Sequence, residues 1–362
     1  MAEDRARLEG HGGIGGVPAG PLPGPLPGPL PKLLRILLSD QAREQLGDAI
    51  GGVLEGQAHT LVLPARGVDA DVAFVSRDVT GLSTKHVLMP ATKDFYDALL
   101  GAPGLRWVHL PSAGADRPVF VALQGRGVLL TTSSGASAAV VAQTALAGLL
   151  ALARHFPQLM AAQRARTWAP LVDTGMPRDL AGQTAVIVGW GPIGRQLGDM
   201  LNLLGLRLVV ARSSAAPAGA GIDTVTYEQL ATVLPRADWL VLACPLTERT
   251  RALVDAGALA LLPAGAQLVN VARGEVVDEP ALVAALQARR LAGAYLDVFA
   301  QEPLPSHSPL WDLPNVIATP HSAGFADGNA RRVARMFLDN LARWRTGKPL
   351  ERVVEAAAPQ AA

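Results

Sequence analysis

Short apolar runs alternate along this chain with longer stretches of helical periodicity. From Lys32 onward, LLRILLS, HTLVLPA, DVAFVS, LRWVHLPS and GVLLTT read as strands, with helical or turn segments between them. That rhythm predicts a parallel α/β unit. A second series follows the connector RTWAPLVDTGMPRDLAG: TAVIVG, LRLVVA, WLVLAC, AQLVNVA, LAGAYLDV and NVIATP. It predicts another α/β unit. The closing helical stretch, ADGNARRVARMFLDNLARWRTG, lies well past the last strand. If it returns to the first unit, the second becomes an insertion, and the two crossings form a hinge and a cleft.

Between the two series, Gly135 to Ala153 carries no charge over 19 residues, which raises the question of a membrane span. Its Ala, Ser and Thr content, Gln143 within it, and Arg154 and His155 directly after it favour a helix buried inside the protein. Residues 1–31 differ from the rest. PAGPLPGPLPGPLP repeats Pro-Leu-Pro-Gly, which builds neither helix nor packed strand and predicts a disordered leader. It lacks the basic start and continuous apolar core of a signal peptide.

The 362 residues suffice for two domains with real cores, and 49% hydrophobic content marks a globular chain. The 32 basic and 31 acidic residues nearly cancel, leaving a net charge of +1 and no footprint for nucleic acid or an anionic membrane. Cys244 stands alone, which excludes an internal disulfide and fits a reducing compartment such as the cytoplasm.

Gly189, Gly191 and Gly194 form G-x-G-x-x-G after a strand and before a helix. The first glycine permits a tight turn, the second lets backbone approach a pyrophosphate, and the third lets helix and strand pack closely. The free N–H groups of the helix start then face the phosphates. Glycines also mark ordinary turns, but the strand–turn–helix context points to a dinucleotide. The acidic residue expected about 20 positions on is missing. No Asp or Glu lies between Asp199 and Asp223, and LRLVVA runs into Arg212, Ser213 and Ser214. An arginine there suits the 2′-phosphate of NADP better than a free ribose hydroxyl; the alternative is an ordinary exposed loop arginine.

VNVARGEVVDEPALVAAL, GAYLDVFAQEPLP and IATPHSAG each place polar residues at the end of an apolar strand, where open α/β sheets bind ligands. They supply Arg273, Asp297, Glu302 and His321, a set suited to carbonyl chemistry. An arginine holds an anionic substrate, and a histidine exchanges a proton near neutral pH. Taken singly, each has a plainer explanation: Arg273 in a surface ion pair, Asp297 capping a loop, Glu302 facing solvent, His321 satisfied in a core. Asp278 and Glu279 suit the start of the helix EPALVAALQARR. Cys244 reads as buried lining. No His/Cys cluster has metal spacing, and no G-x-S-x-G elbow suggests a serine hydrolase.

Together with CPLTERTR and LPSAGAD, these motifs resemble the D-isomer-specific 2-hydroxyacid dehydrogenases over roughly residues 33 to 348, in order and at suitable spacing. The resemblance implies a Rossmann dinucleotide-binding domain inserted in a split, flavodoxin-like α/β substrate domain. The expected divisions are a leader (1–31), substrate domain (32–134), cofactor domain (135–320), a C-terminal return helix to the substrate domain (321–350) and a tail (351–362). It implies that Arg273 binds the substrate carboxylate and carbonyl, that His321 is the acid/base, and that Glu302 pairs with His321 and favours its protonated form. Gly189, Gly191, Pro192, Ile193, Gly194, Arg212, Ser213, Cys244, Pro245, Thr250, Ala272 and Ala323 would line the cofactor beside His321, with Asp297 at the nicotinamide carboxamide. Backbone of Ser112, Ala113 and Gly114 would hold the substrate carboxylate, beside Ser76 and Arg77. The uncharged helix would bridge the domains and pack in a homodimer.

Gln143 stands where many members carry Glu, and Arg212 where NAD-using members carry Asp. The expected activity is reduction of a small 2-keto acid such as glyoxylate or hydroxypyruvate to a D-2-hydroxy acid, with NADP preferred and NAD possible. A cofactor-sensing corepressor on the same fold is the alternative. Formate dehydrogenase is disfavoured, because that branch carries Gln where Glu302 stands.

Overall fold

β1 (Leu34–Leu37) is buried on both faces, with Leu34, Ile36 and Leu37 fully covered, so it reads as an unbroken apolar run. In the computed structural model, which describes residues 27–84, 87–173 and 175–354, it lies inside a five-stranded sheet. The other members are β2 (His59–Val62), β3 (Val72–Phe74), β4 (Trp107–His109) and β5 (Leu129–Thr131). The order β2-β1-β3-β4-β5, parallel throughout, is the flavodoxin-like one. After β1, the Ser39 hydroxyl accepts from the Ala42 N–H at 3.0 Å and starts the helix Asp40–Val53.

The second sheet has seven strands: β6 (Thr184–Val188), β7 (Arg207–Arg212), β8 (Asp223–Thr226), β9 (Trp239–Leu242), β10 (Gln267–Asn270), β11 (Gly293–Leu296) and β12 (Val316–Ala318). Its order, β12-β11-β10-β9-β6-β7-β8, reverses direction between β6 and β9. That reversal is the topological switch point of a doubly wound fold, outside which ligands bind. β8 is the strand the apolar pattern does not announce. DTVT is an edge segment, exposed or half-buried throughout, so it needs no apolar run.

The uncharged segment forms the helix Ala138–Ala153 and lies against this second sheet. Its small residues have a packing reason: a Cβ on Gly148 would stand 2.3 Å from the Tyr295 ring. Gln143 faces solvent. No single helix among the described residues is long and apolar enough to cross a membrane.

The last helix, Asn329–Arg345, returns to the first sheet, where Phe337 stacks on Phe74 at 4.7 Å and on Trp107 at 5.5 Å. The nucleotide-type domain is therefore an insertion in a split substrate domain. The leader, expected to be unstructured through residue 31, behaves otherwise at its end. The Gly28 carbonyl accepts from Trp344 Nε1 at 2.9 Å, Pro29 from Arg106 at 2.7 Å and Pro31 from Gln57 at 2.9 Å, while Leu30 packs beneath. Residues 1–26 lie outside the described chain. The expected tail likewise begins with an ordered piece. Val353 bridges Thr131 in antiparallel fashion, and Val354 N–H donates to the Leu130 carbonyl at 2.8 Å.

Candidate functional site

The glycine turn leaves β6 at the switch point. Gly189 has φ +101, and a Cβ there would stand 2.6 Å from the Cys244 backbone. A Cβ on Gly194 would meet the Gly189 carbonyl oxygen at 2.1 Å. Around Gly191 nothing lies within 4 Å of a built Cβ, so the backbone there is open to approach. The helix Pro192–Leu203 begins at Gly191 with no side-chain cap, leaving its first N–H groups for an anion. Two glycines fixed by close packing and one facing open space make a cradle that fits a pyrophosphate.

Arg212 ends β7, one strand over, and Ser213 and Ser214 follow in an exposed turn. Arg212 makes one long contact, 3.4 Å to the Ala216 carbonyl. Arg249 joins it, donating through both terminal nitrogens to the Ser213 carbonyl at 3.2 Å and to Glu228 at 2.8 Å. Two guanidinium groups thus flank the turn. Sequence reasoning missed Arg249, although it sits within CPLTERTR, because only the fold returns that loop to the end of β7. In the same loop Thr250 is fully buried; its hydroxyl donates to the Pro245 carbonyl at 2.7 Å and accepts from the Thr247 N–H at 2.8 Å. It shapes the loop from within. Cys244 and Ala272 are buried, and burial pushes the Cys244 thiol up to about 12, consistent with a lining role and not a nucleophile.

His321 and Glu302 come together from different loops, with His321 Nδ1 2.8 Å from Glu302 Oε2. The other Glu302 oxygen accepts from the Phe299 N–H at 3.1 Å. Burial pushes the Glu302 carboxyl up. The hydrogen bond and charge of His321, the Phe299 N–H and the charge of Arg273 outweigh it and hold the group below its usual value. His321 is about half exposed while Glu302 is 16% exposed, so the imidazole faces the cleft and the carboxylate backs it. His321 has φ +50, a left-handed conformation unusual outside glycine.

Asp297 holds that conformation. Its carbonyl accepts from the His321 N–H at 2.8 Å, and its carboxylate accepts from Thr319 Oγ1 at 2.7 Å, from the Ser322 N–H at 2.8 Å and from the Ala323 N–H at 3.0 Å. Burial nonetheless raises the carboxyl above its usual value. Asp297 thus grips the histidine loop from below, with its oxygens already engaged. Asp278 caps the helix Glu279–Gln287, and Glu279 accepts from the Ala300 N–H at 2.8 Å, tying that helix to the Glu302 loop.

Arg273 follows β10 and meets the substrate-domain loop. Its Nη1 donates to the Ala272 carbonyl at 2.7 Å, and its Nη2 lies 3.8 Å from Asp116. A Cβ on Gly114 would stand 2.6 Å from Arg273 Nη2, so the guanidinium lies directly on this loop. Among the described residues, the N–H groups of Ser112, Ala113 and Gly114 donate to nothing. Arg77, one strand over, places its guanidinium 4.2 Å from the ring centre of Phe325, four residues past His321, while Ser76 is buried against Ser39. Thr84 Oγ1 donates to the Glu302 carbonyl at 2.9 Å, a further link across the cleft. Free N–H groups, a guanidinium and a backed imidazole from both halves can hold a carboxylate and exchange a proton with a neighbouring oxygen.

Comparison with known proteins places the chain in a family. The model of the family described as D-isomer specific 2-hydroxyacid dehydrogenase, NAD binding domain, matches residues 146–323. The (S)-sulfolactate dehydrogenase of Chromohalobacter salexigens is 36% identical over 247 residues, covering 67% of this chain and 78% of that protein. Glyoxylate/hydroxypyruvate reductase B of Yersinia enterocolitica is 36% identical over 256 residues, covering 70% and 78%. A D-isomer-specific 2-hydroxyacid dehydrogenase from Xanthobacter autotrophicus, solved with NADPH and MES, has a similar structure. It is 30% identical with a TM-score of 0.69, over 89% of this chain and 98% of the other.

Proposed function

The chain belongs to the D-isomer-specific 2-hydroxyacid dehydrogenase family, and from that premise we propose that it reduces a small 2-keto acid to a D-2-hydroxy acid, with NADPH favoured over NADH. By family it is an NAD(P)-dependent oxidoreductase. The observation that carries the proposed reaction is the 2.8 Å pair of a half-exposed His321 and a largely covered Glu302, whose carboxylate also feels the charge of Arg273. When bound, the nicotinamide supplies the hydride. Gly191 and the start of the helix Pro192–Leu203 would hold its pyrophosphate. Arg273 and the N–H groups of Ser112 to Gly114 would hold the substrate carboxylate and orient the keto carbon. His321, donating through Nδ1 to Glu302, presents Nε2–H to the carbonyl oxygen and gives up that proton as the oxygen becomes an alkoxide. Ionised Glu302 stabilises the imidazolium that does this.

NADPH preference rests on Arg212 and Arg249 around the turn after β7, and on the missing carboxylate there. A guanidinium matches phosphate oxygens and does not accept from a ribose hydroxyl. A homodimer belongs to the same reading. Past the uncharged helix, Phe156, Met160, Trp168, Val172 and Met176 are exposed, Trp168 to 94%, a run of apolar surface suited to a second copy of this chain. The buried free Cys244 accords with a cytoplasmic location.

The test is a panel of 2-keto acids, including glyoxylate, hydroxypyruvate and sulfopyruvate, assayed with NADPH and with NADH, with the product resolved for chirality. At least one D-hydroxy acid formed faster with NADPH is expected. No turnover with any of them, or an L product, overturns the reading.

A further inference from the structure

His109 closes β4 directly beneath the loop of Ser112 to Gly114 and is fully buried. Its ring lies among Phe74, Trp107 and Phe337, the last from the returning C-terminal helix. Both ring nitrogens are engaged: Nδ1 lies 2.8 Å from Thr131 Oγ1 and Nε2 3.0 Å from Ser133 Oγ. The neighbours fix where the proton is. Ser133 commits its one hydroxyl hydrogen to the Leu110 carbonyl at 2.8 Å, so its oxygen accepts from His109 Nε2–H. Burial, with the charge of Arg352, lowers the His109 pKa to about 3, so the ring is neutral and Nδ1 accepts. Thr131 Oγ1 therefore donates to Nδ1, and in turn accepts from Trp107 Nε1–H at 2.8 Å. The network runs with defined polarity: Trp107 to Thr131 to His109, and from His109 to Ser133 to the Leu110 carbonyl.

That carbonyl is the last fixed point before the loop. Ser133 holds the loop a second time, its N–H donating to the Ser112 carbonyl at 3.0 Å. Ser112 Oγ then donates to the Gly114 carbonyl at 2.7 Å. With these carbonyls turned inward, the N–H groups of Ser112, Ala113 and Gly114 are left without protein partners, on the loop that Arg273 touches. A buried neutral histidine satisfies itself in any core. Here its Nε2–H also orients the one hydroxyl that, with its own backbone, grips this loop at two carbonyls.

We propose that His109, in its Nε2–H form, is a positioning residue: through Ser133 it aims the backbone N–H groups of Ser112 to Gly114 at the substrate carboxylate. It does not touch substrate or cofactor and exchanges no proton in the reaction. The proposal rests on the reading of that loop as the carboxylate cradle.

The experiment compares His109→Leu, which removes the donor to Ser133, with His109→Gln, whose side-chain amide reaches the same oxygen. KM for the best 2-keto acid, kcat, NADPH affinity by fluorescence titration, and affinity for oxamate, a non-reacting isostere of a 2-keto acid, are measured for each. His109→Leu should raise KM and the oxamate Kd roughly tenfold, the scale of one lost hydrogen bond. Its kcat should change less than KM and its NADPH affinity should stay put, and His109→Gln should recover most of the loss. Unchanged oxamate affinity in His109→Leu, an equal loss of NADPH affinity, or no recovery in His109→Gln overturns the proposal. If His109→Leu does not fold, Ser133→Ala gives the reading: weaker oxamate binding supports the proposal and unchanged binding overturns it. Oxamate binding also separates the two readings. Wild type that binds oxamate without reducing any 2-keto acid defeats the proposed reaction, while the variants still report on the loop.

Discussion

His321 sits at φ +50, a conformation that costs an L-residue about 1–3 kcal/mol, and three bonds from the Asp297 carboxylate to Thr319, Ser322 and Ala323 maintain the loop that imposes it. In that conformation the imidazole meets Glu302 at 2.8 Å. His321→Ala should reduce turnover by roughly 10²- to 10⁴-fold, the usual contribution of a general acid, and leave the dissociation constant for NADPH within about twofold. Near-normal turnover in that variant would show that His321 is not the proton donor. Glu302→Gln tests the partner through pH. The net depression of the Glu302 carboxyl, against its burial, comes chiefly from the hydrogen bond and charge of His321. In the proposed reaction, reduction requires the imidazolium. Without the Glu302 charge, the basic limb of the kcat/KM profile for reduction should move to lower pH, with the acid side keeping its activity. A limb that stays in place means that the pair does not govern protonation. Arg273, Asp297, Glu302 and His321 stood out in the sequence as motif positions at strand ends. The grip of Asp297 was not, because it depends on a loop folding back over its own strand. Nor was His109, whose significance lies in neighbours 22 and 24 residues away.

Strands were read well wherever they are apolar on both faces. β6, β9, β10, β11 and β12 all fall within the runs read from the pattern, β7 runs one residue past its run to Arg212, and β8 was missed because DTVT lies at a half-covered edge where no apolar signal is needed. The same edge carries the proposed cofactor preference. β7 ends at Arg212, β8 packs beside it, and the loop after β9 delivers Arg249 to the same turn through the Ser213 carbonyl and Glu228. Removing one of two such cations should leave part of the effect. Arg212→Ala should therefore reduce the NADPH-to-NADH ratio of kcat/KM by about ten- to a hundredfold, as expected for one charge-assisted contact, mainly through KM for NADPH. Arg212→Asp should go further, since it adds repulsion of the 2′-phosphate and an acceptor for the ribose hydroxyl. Arg249→Ala should lower the ratio by less, because its Nη2 is already committed to Glu228. A wild type that prefers NADH, or variants with an unchanged ratio, would remove the cofactor claim and leave the chemistry at His321 untouched.

Both ends of the described chain are fastened to the substrate domain, and that fastening closes the split. The returning helix Asn329–Arg345 fills the face over β1, β3 and β4 with Val333, Phe337, Leu341 and Trp344. Trp344 is 2% exposed, and its indole N–H is satisfied by the Gly28 carbonyl. Residues 28–31 thus act as a strap: Gly28 on the last helix, Pro29 on Arg106 before β4, and Pro31 on Gln57 before β2. A Pro/Gly-rich tract looks structureless in sequence because it forms no repeating backbone bonds of its own, yet proline carbonyls are good acceptors for donors placed elsewhere. Deleting residues 1–31 removes three acceptors and the Leu30 side chain, and uncovers the indole. A buried donor left without a partner costs about 1–3 kcal/mol, and water reaching the uncovered edge keeps the loss toward the lower end. At about 2–4 °C per kcal/mol, melting should fall by roughly 2–6 °C relative to a chain lacking residues 1–26. The Pro29 and Pro31 contacts precede β4 and β2, at the strand ends opposite the Ser112 loop, so kcat at 25 °C should be the same for both deletions. Equal melting temperatures would show that the strap contributes nothing to closing the split domain. A fall in melting accompanied by lost NADPH affinity would mean that the two halves of the molecule unfold together, with the inserted domain depending on the clasp formed by the chain ends.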